Sequence, residues 1–176
     1  MAAPARATLA HVALGANLGD RMRTLVSAAR ALGALSAPGT EVALSAVYET
    51  APLGPAEQPD YLNAVARLPT TLAPEPLLDA LQGIERDHGR VREGVERWGA
   101  RTLDLDLLLH GRARLDTARL VLPHPGMAAR AFVLVPLAEL DPGLVVPGLG
   151  TVAGLLAGVG RAGVRRVGPL TRGDAP

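Results

Sequence analysis

The sequence has 176 residues, a net charge of +1 with 20% charged residues, and neither cysteine nor lysine. The length suits one domain, 1–176, with a real core. The missing cysteine excludes disulfides, thiol nucleophiles and thiolate metal sites, and the missing lysine removes a Walker-type phosphate lysine, a Schiff base and a Ser-Lys pair.

The near-neutral balance gives no basic surplus for nucleic acid. No apolar run approaches the eighteen or so residues a membrane span needs, and Met1 to Thr8 lacks a signal core, so a cytoplasmic protein is expected. Leu9 to Leu14 reads as a first, interior strand ending at Gly15. Gly15-Ala16-Asn17-Leu18-Gly19-Asp20 then leads into a helix that Asp20 is suited to cap, with Leu25, Val26, Ala29 and Leu32 as its buried stripe. Such a loop can bind phosphate through free N–H groups, but without lysine or a third glycine a structural turn accounts for it better. Glu41 to Tyr48 alternates as a second strand, and Glu49 to Pro55 forms a proline-stiffened loop.

Tyr61 to Leu68 is the third strand, with Tyr61, Asn63, Val65 and Arg67 on the face opposite Leu62, Ala64 and Ala66. A tyrosine beside an asparagine offers a flat wall and an amide for the edge of a heterocycle; ordinary cross-strand packing is the other reading. Pro74 opens a second helix ending near Gly89, with Leu77, Leu78, Leu81 and Ile84 buried and Gln82 and Glu85 on or beside that stripe. Arg86, Arg90, Arg92 and Arg97, with Glu93 and Glu96, populate the connection up to Arg101, which is long enough to be a functional loop.

From Arg101 a strand would set Thr102, Asp104 and Asp106 on one face and Leu103, Leu105 and Leu107 in the core. Carboxylates whose Cα atoms are roughly 6.5–7 Å apart can share one Mg2+ or bracket a pair. Arginines alongside divalent cations suit a polyphosphate. The same Asp-x-Asp pattern is also the solvated face of many ordinary strands. Downstream, His124 lies in the stiff Pro123-His124-Pro125 turn, and Met127 to Leu140 reads as a helix interrupted at Pro136, with Arg130 and Phe132 near its start. Val152 to Val159 is a short apolar segment, and the tail, about 161–176, is expected to be poorly ordered.

Taken together, Gly15-Ala16-Asn17-Leu18-Gly19, Tyr48 to Gly54, Pro59 to Ala64, Arg90-x-Arg92, Arg97-Trp98-Gly99-Ala100-Arg101-x-Leu103-Asp104-Leu105-Asp106 and Pro123-His124 resemble the 6-hydroxymethyl-7,8-dihydropterin pyrophosphokinase family over about residues 9–142. The resemblance implies an α+β fold of the ferredoxin-like kind, with helices packed on an antiparallel sheet. It implies transfer of diphosphate from MgATP to a pterin alcohol, giving AMP and the pterin diphosphate in folate biosynthesis. Carried over by position, Asp104 and Asp106 would hold two Mg2+ ions and, with Arg92 and Arg101, form the catalytic set. Gln82, Glu85, Arg92, Arg101, Leu107, His124 and Arg130 would line the ATP side. Thr50, Ala51, Leu53, Tyr61, Asn63, Trp98 and Phe132 would make the pterin pocket, and the arginine loop would close over ATP. ATP and the pterin are the expected partners of a monomer that engages neither nucleic acid nor membrane.

The whole chain has one Trp, one Phe and two Tyr, and three of those four rings fall at pterin-pocket positions. Scarce aromatics gathered in one place suit a planar ligand. Two other readings of the paired aspartates stay open: a metal-dependent nucleotidyltransferase, which would release diphosphate and not AMP, and a non-catalytic nucleotide- or pterin-binding module on the same scaffold.

Overall fold

The computed structural model describes residues 6–54, 57–90 and 100–173. The first apolar run extends into a nine-residue strand, β1 (Thr8–Ala16), followed by α1 (Arg21–Gly33), where the Asp20 carboxylate accepts from the Arg23 N–H at 3.0 Å. The stretch read as one strand over 41–48 is instead two, β2 (Ala43–Leu44) and β3 (Ala46–Thr50). The break falls at Ser45, whose hydroxyl donates to the Ala46 carbonyl and accepts from the Val65 N–H, so a side chain replaces a rung of the ladder.

β4 (Tyr61–Thr70) and α2 (Pro74–Asp87) follow, then β5 (Asp104–His110). Two small hairpins are formed by β6 (Leu115–Asp116) with β7 (Val121–Leu122), and by β8 (Val145–Val146) with β9 (Gly150–Thr151). Between them lie a 3-10 turn, Met127–Ala129, and α3 (Ala131–Leu140). The helix break expected at Pro136 is therefore at Arg130, which is extended at φ −113° and ψ 106°. Pro136 stays inside α3, where Val133 to Leu137 are all buried, and that burial outweighs the missing backbone bond. α4 (Val152–Val159) and β10 (Arg165–Pro169) complete the chain.

The main sheet is antiparallel throughout, in the order β10-β3-β4-β1-β5, with β2 also paired to β4. Strands β1, β3, β4 and β5, with α1 after β1 and α2 after β4, have the ferredoxin-like arrangement. The tail departs from expectation: β10 pairs with β3, and Leu170 beyond it is buried. Without that partner β3 would end the sheet with an open row of backbone donors and acceptors.

One sheet face packs Ala10, Val12, Leu14, Leu62, Leu68, Leu103, Leu105 and Leu107 against Leu25 and Leu32 of α1 and Leu77 and Leu81 of α2. The opposite face packs Ala46, Tyr48, Val65 and Leu109 against Val133, Leu134 and Leu137 of α3, with Val152 and Leu156 of α4 in the same cluster. The alternation of β5 holds through Leu107 and then slips. A register shift opposite His11/Val12 lets both Leu108 and Leu109 into the second cluster. No described helix is long and apolar enough to cross a membrane.

Candidate active site

β1 is the middle strand of the site, and its register decides what stands beside what. Gly15 pairs with Asn63 on one side and Asp104 on the other; Ala13 pairs with Val65 and Asp106. The face carrying Tyr61 and Asn63 therefore lies two strand spacings, roughly 10 Å, from the face carrying the aspartates. The strand between them presents only small residues. A Cβ on Gly15 would meet Asn63 Oδ1 at 3.5 Å, the Tyr61 ring at 3.7 Å and Asp104 Cβ at 4.0 Å. The floor is thus kept low where the two halves meet, beneath a cleft of about 640 Å³.

Eleven of the residues singled out from sequence line this one cleft: Thr50, Ala51, Leu53, Tyr61, Asn63, Arg101, Asp104, Asp106, His124, Arg130 and Phe132. On the aromatic side the Asn63 amide donates to Thr50 Oγ1 at 2.8 Å, which orients both polar groups. Leu53 stands 64% exposed on the proline loop, so its side chain is available to a ligand. Arg130 has its guanidinium 5.9 Å from the Phe132 ring centroid, close enough for a cation–π contact that joins the two sides.

On the acidic side Asp104 is held by cations at both oxygens: Arg90 donates to Oδ1 and Arg101 to Oδ2 at 2.8 Å. Arg90 also donates to Glu85, whose Oε1 in turn accepts from the Leu105 N–H at 2.8 Å, so a carboxylate buried in α2 caps the outer edge of β5. Asp106 is different. Burial, reinforced by the Asp104 charge, pushes its carboxyl up to about 7, although 38% of its side chain still opens to the cleft. His124 Nε2 stands 3.9 Å from Asp106 Oδ2. The Gly126 N–H donates to His124 Nδ1 at 3.1 Å, which fixes the neutral tautomer with its proton on Nε2, toward the cleft. Burial and the Arg130 charge lower the His124 pKa, keeping the ring neutral.

Among the described residues no group of three or more His, Asp or Glu side chains could hold a metal ion. The paired carboxylates of Asp104 and Asp106 fit Mg2+, which is commonly bound through one or two carboxylates with substrate phosphates and water completing its shell. A carboxylate raised toward 7 beside a second carboxylate is a place where added positive charge is favourable.

Three expected site residues are placed elsewhere. Glu85 is buried on α2 behind Arg90, outside the cleft lining. The Leu107 side chain is 2% exposed in the core behind the sheet, so only its backbone could meet a nucleotide, and Gln82 is half-buried on α2 outside the cleft lining. Arg92, Trp98 and the closing arginine loop lie outside the described residues. Arg90, given no role from sequence, is the residue that the geometry adds. Gly89, at φ +78°, ends α2 in a turn where the Arg90 N–H donates to the Glu85 carbonyl at 3.0 Å and the Gly89 N–H to that of Arg86. A glycine just past the last helical turn is the sequence signal for such a turn, and the turn sends the next residue back over the helix end.

The sequence model of the 7,8-dihydro-6-hydroxymethylpterin-pyrophosphokinase (HPPK) family matches residues 11–142. A 2-amino-4-hydroxy-6-hydroxymethyldihydropteridine pyrophosphokinase of Pseudomonas aeruginosa is 50% identical over 89% of this chain and 95% of its own length. Its namesake from Haemophilus influenzae is 49% identical over 78% and 84%. Among solved structures, a Plasmodium falciparum HPPK-DHPS crystal structure matches with a TM-score of 0.67 at 13% identity, over 89% of this chain. Another HPPK-DHPS crystal structure, in complex with substrates, matches with a TM-score of 0.64 at 11% identity, over 87% of this chain. The chain spans less than half of those two proteins, 44% and 43% respectively, and at such identities the likeness concerns the fold.

Proposed function

Because the chain belongs to the 7,8-dihydro-6-hydroxymethylpterin-pyrophosphokinase family, we propose that its cleft transfers diphosphate from MgATP to the hydroxymethyl group of 6-hydroxymethyl-7,8-dihydropterin. The hydroxymethyl oxygen forms a bond to the β-phosphorus, the bond from that phosphorus to the α-phosphate oxygen breaks, and AMP leaves with the electron pair. The hydroxyl proton passes to solvent as the new ester forms. The observation that carries this reading is the register through Gly15. It sets a ring-and-amide wall beside a carboxylate pair, with Arg101 and Arg130 lining the same cleft.

Asp104 and Asp106 would hold two Mg2+ ions, which would supply positive charge to neutralise the phosphates. The residues around them do the rest. Tyr61 and Phe132 offer flat faces to the pterin ring, and Asn63, oriented by Thr50, reads its amide-like edge. The Nε2–H of His124 can donate to a phosphate oxygen without carrying charge. Arg90 and Arg101 sit on Asp104 in the free protein, so they are already within reach of phosphates bound there. Arg92 and Trp98 would complete the ATP side and the pterin side, respectively. The same reading has a single-domain, cytoplasmic monomer with no nucleic-acid or membrane partner.

The test is AMP release by purified protein with MgATP and 6-hydroxymethyl-7,8-dihydropterin, beside a control lacking the pterin. Pterin-dependent AMP that disappears with EDTA is the expected result. Diphosphate release would point to a nucleotidyltransferase, and binding without turnover to a non-catalytic module.

A further inference from the structure

Asn17 is 1% exposed at the end of β1, and every polar atom of its side chain is engaged. Oδ1 accepts from the Arg101 N–H at 2.7 Å. Nδ2 donates to the Pro59 carbonyl at 3.1 Å and to Gln58 Oε1 at 3.2 Å. A backbone N–H can only donate and a backbone carbonyl can only accept, so these partners fix which end of the amide is which. The main chain joins in, because the Asn17 N–H donates to the Arg101 carbonyl at 3.1 Å. Arg101 is thus gripped through both its backbone N–H and its carbonyl.

These partners belong to different halves of the site. Pro59 lies two residues before Tyr61, at the end of the proline loop that carries Ala51 and Leu53, and its neighbour Asp60 is held by Arg21 through its carbonyl at 2.7 Å. Arg101 closes the long connection after α2 and puts its guanidinium on Asp104. One buried amide therefore anchors the base of the aromatic-side loop through its nitrogen and the base of the arginine connection through its oxygen.

We infer that Asn17 is a positioning residue of this site, holding Tyr61 and Arg101 in mutual register across the cleft by opposite ends of one amide. The inference rests on the proposed reaction for its kinetic consequences, not for its geometry. Asn17 itself is not among the residues that line the cleft. Asparagine is required because no other side chain of that length offers a donor and an acceptor on one planar group. The substitution Asn17→Asp would keep the acceptor for Arg101 and turn a second acceptor toward the Pro59 carbonyl.

The experiment compares wild type, Asn17→Asp, Asn17→Ala and Gln58→Ala, with a denaturation curve for each. Losing a buried hydrogen bond costs about 1–3 kcal/mol, equivalent to roughly 5- to 150-fold. Asn17→Asp is expected to raise the pterin KM at least about tenfold with the ATP KM within about threefold. Asn17→Ala is expected to raise the pterin KM and also lower kcat, since Arg101 is then released as well. Gln58→Ala, in a half-exposed position that the core does not need, is expected to raise the pterin KM by about threefold, and to have no further effect in the Asn17→Asp background. Equal changes in both KM values that track a loss of stability, or an undiminished Gln58→Ala effect in that background, would overturn the inference. Hydrogen exchange at the Arg101 amide supplies a readout independent of turnover. Its protection should be lost in Asn17→Ala and kept in Asn17→Asp, and unchanged protection in Asn17→Ala would also overturn the inference. A wild type without pterin-dependent AMP counts against the proposed reaction, whereas an active wild type with unaffected variants counts against Asn17.

Discussion

Changing Asp104 and Asp106 separately to asparagine should have the same effect on turnover and opposite effects on stability. In the free protein Asp104 accepts from two guanidinium groups, with 23% of its side chain exposed and 12% and 23% of those of Arg90 and Arg101. Hydrogen bonds to charged groups contribute about 1.5–3 kcal/mol each, and partial exposure reduces this, so Asp104→Asn should cost about 2–3 kcal/mol. Asp106 has its folded carboxyl raised from 3.8 to about 7, chiefly by burial. The folded state then binds the extra proton, so stability falls as pH rises from 3.8 to about 7, and the whole penalty is present at pH 8. Taken at face value that is roughly 4 kcal/mol; discounted for solvent reaching the side chain, it is about 1–2 kcal/mol. Asp106→Asn removes this penalty and should stabilise the metal-free protein by that amount at pH 8, with the gain shrinking as pH is lowered toward 4. Both variants should lose at least about 100-fold in turnover, the scale of losing one preorganised electrostatic group. Urea unfolding in EDTA at pH 8 and pH 5, with AMP release at saturating Mg2+, measures both effects. Equal destabilisation by the two substitutions, or near-normal turnover in either, would refute the reasoning.

His11 is buried with neither ring nitrogen partnered among the described residues, and burial lowers its pKa from 6.5 to about 4 against the opposing Asp141 charge, with Arg67 lowering it further. The unfolded chain takes up that proton first, so stability is complete above 6.5 and falls toward pH 4; the loss should be about 2 kcal/mol at pH 5. His11→Gln should flatten that part of the pH profile, and parallel profiles for wild type and variant would contradict the assignment. Tyr61→Leu should raise the pterin KM by roughly 10-fold with little change in that for ATP, since it removes a stacking face and leaves the acidic side alone; steady-state kinetics with each substrate varied tests this. Glu85→Gln keeps an acceptor for the Leu105 N–H but takes the charge from Arg90's partner. Its kcat should fall about 10-fold with a stability loss of about 1–2 kcal/mol, and a change confined to stability would place Glu85 outside the reaction.

Local chemistry made much of this protein legible in its sequence. Alternation in Tyr61 to Leu68 and from Leu103 to Leu107 separated core from cleft residues, and Asp20 and Pro74 marked the helix starts. Both depend on near neighbours and on strand and helix periods, which any chain obeys. Where expectation and structure part, a distant partner decided. Ser45 splits a strand by bonding across to Val65 and Ala46, Pro136 stays helical because the residues around it are buried, and residues 165–169 form a strand because they pair with the open edge of β3. The site follows the same division. The paired aspartates and clustered rings can be read one segment at a time, but the order β4-β1-β5 makes them one site. Asn17 and Arg90 gained their places only from contacts between segments far apart in sequence or turned back by a helix end, which no local period encodes.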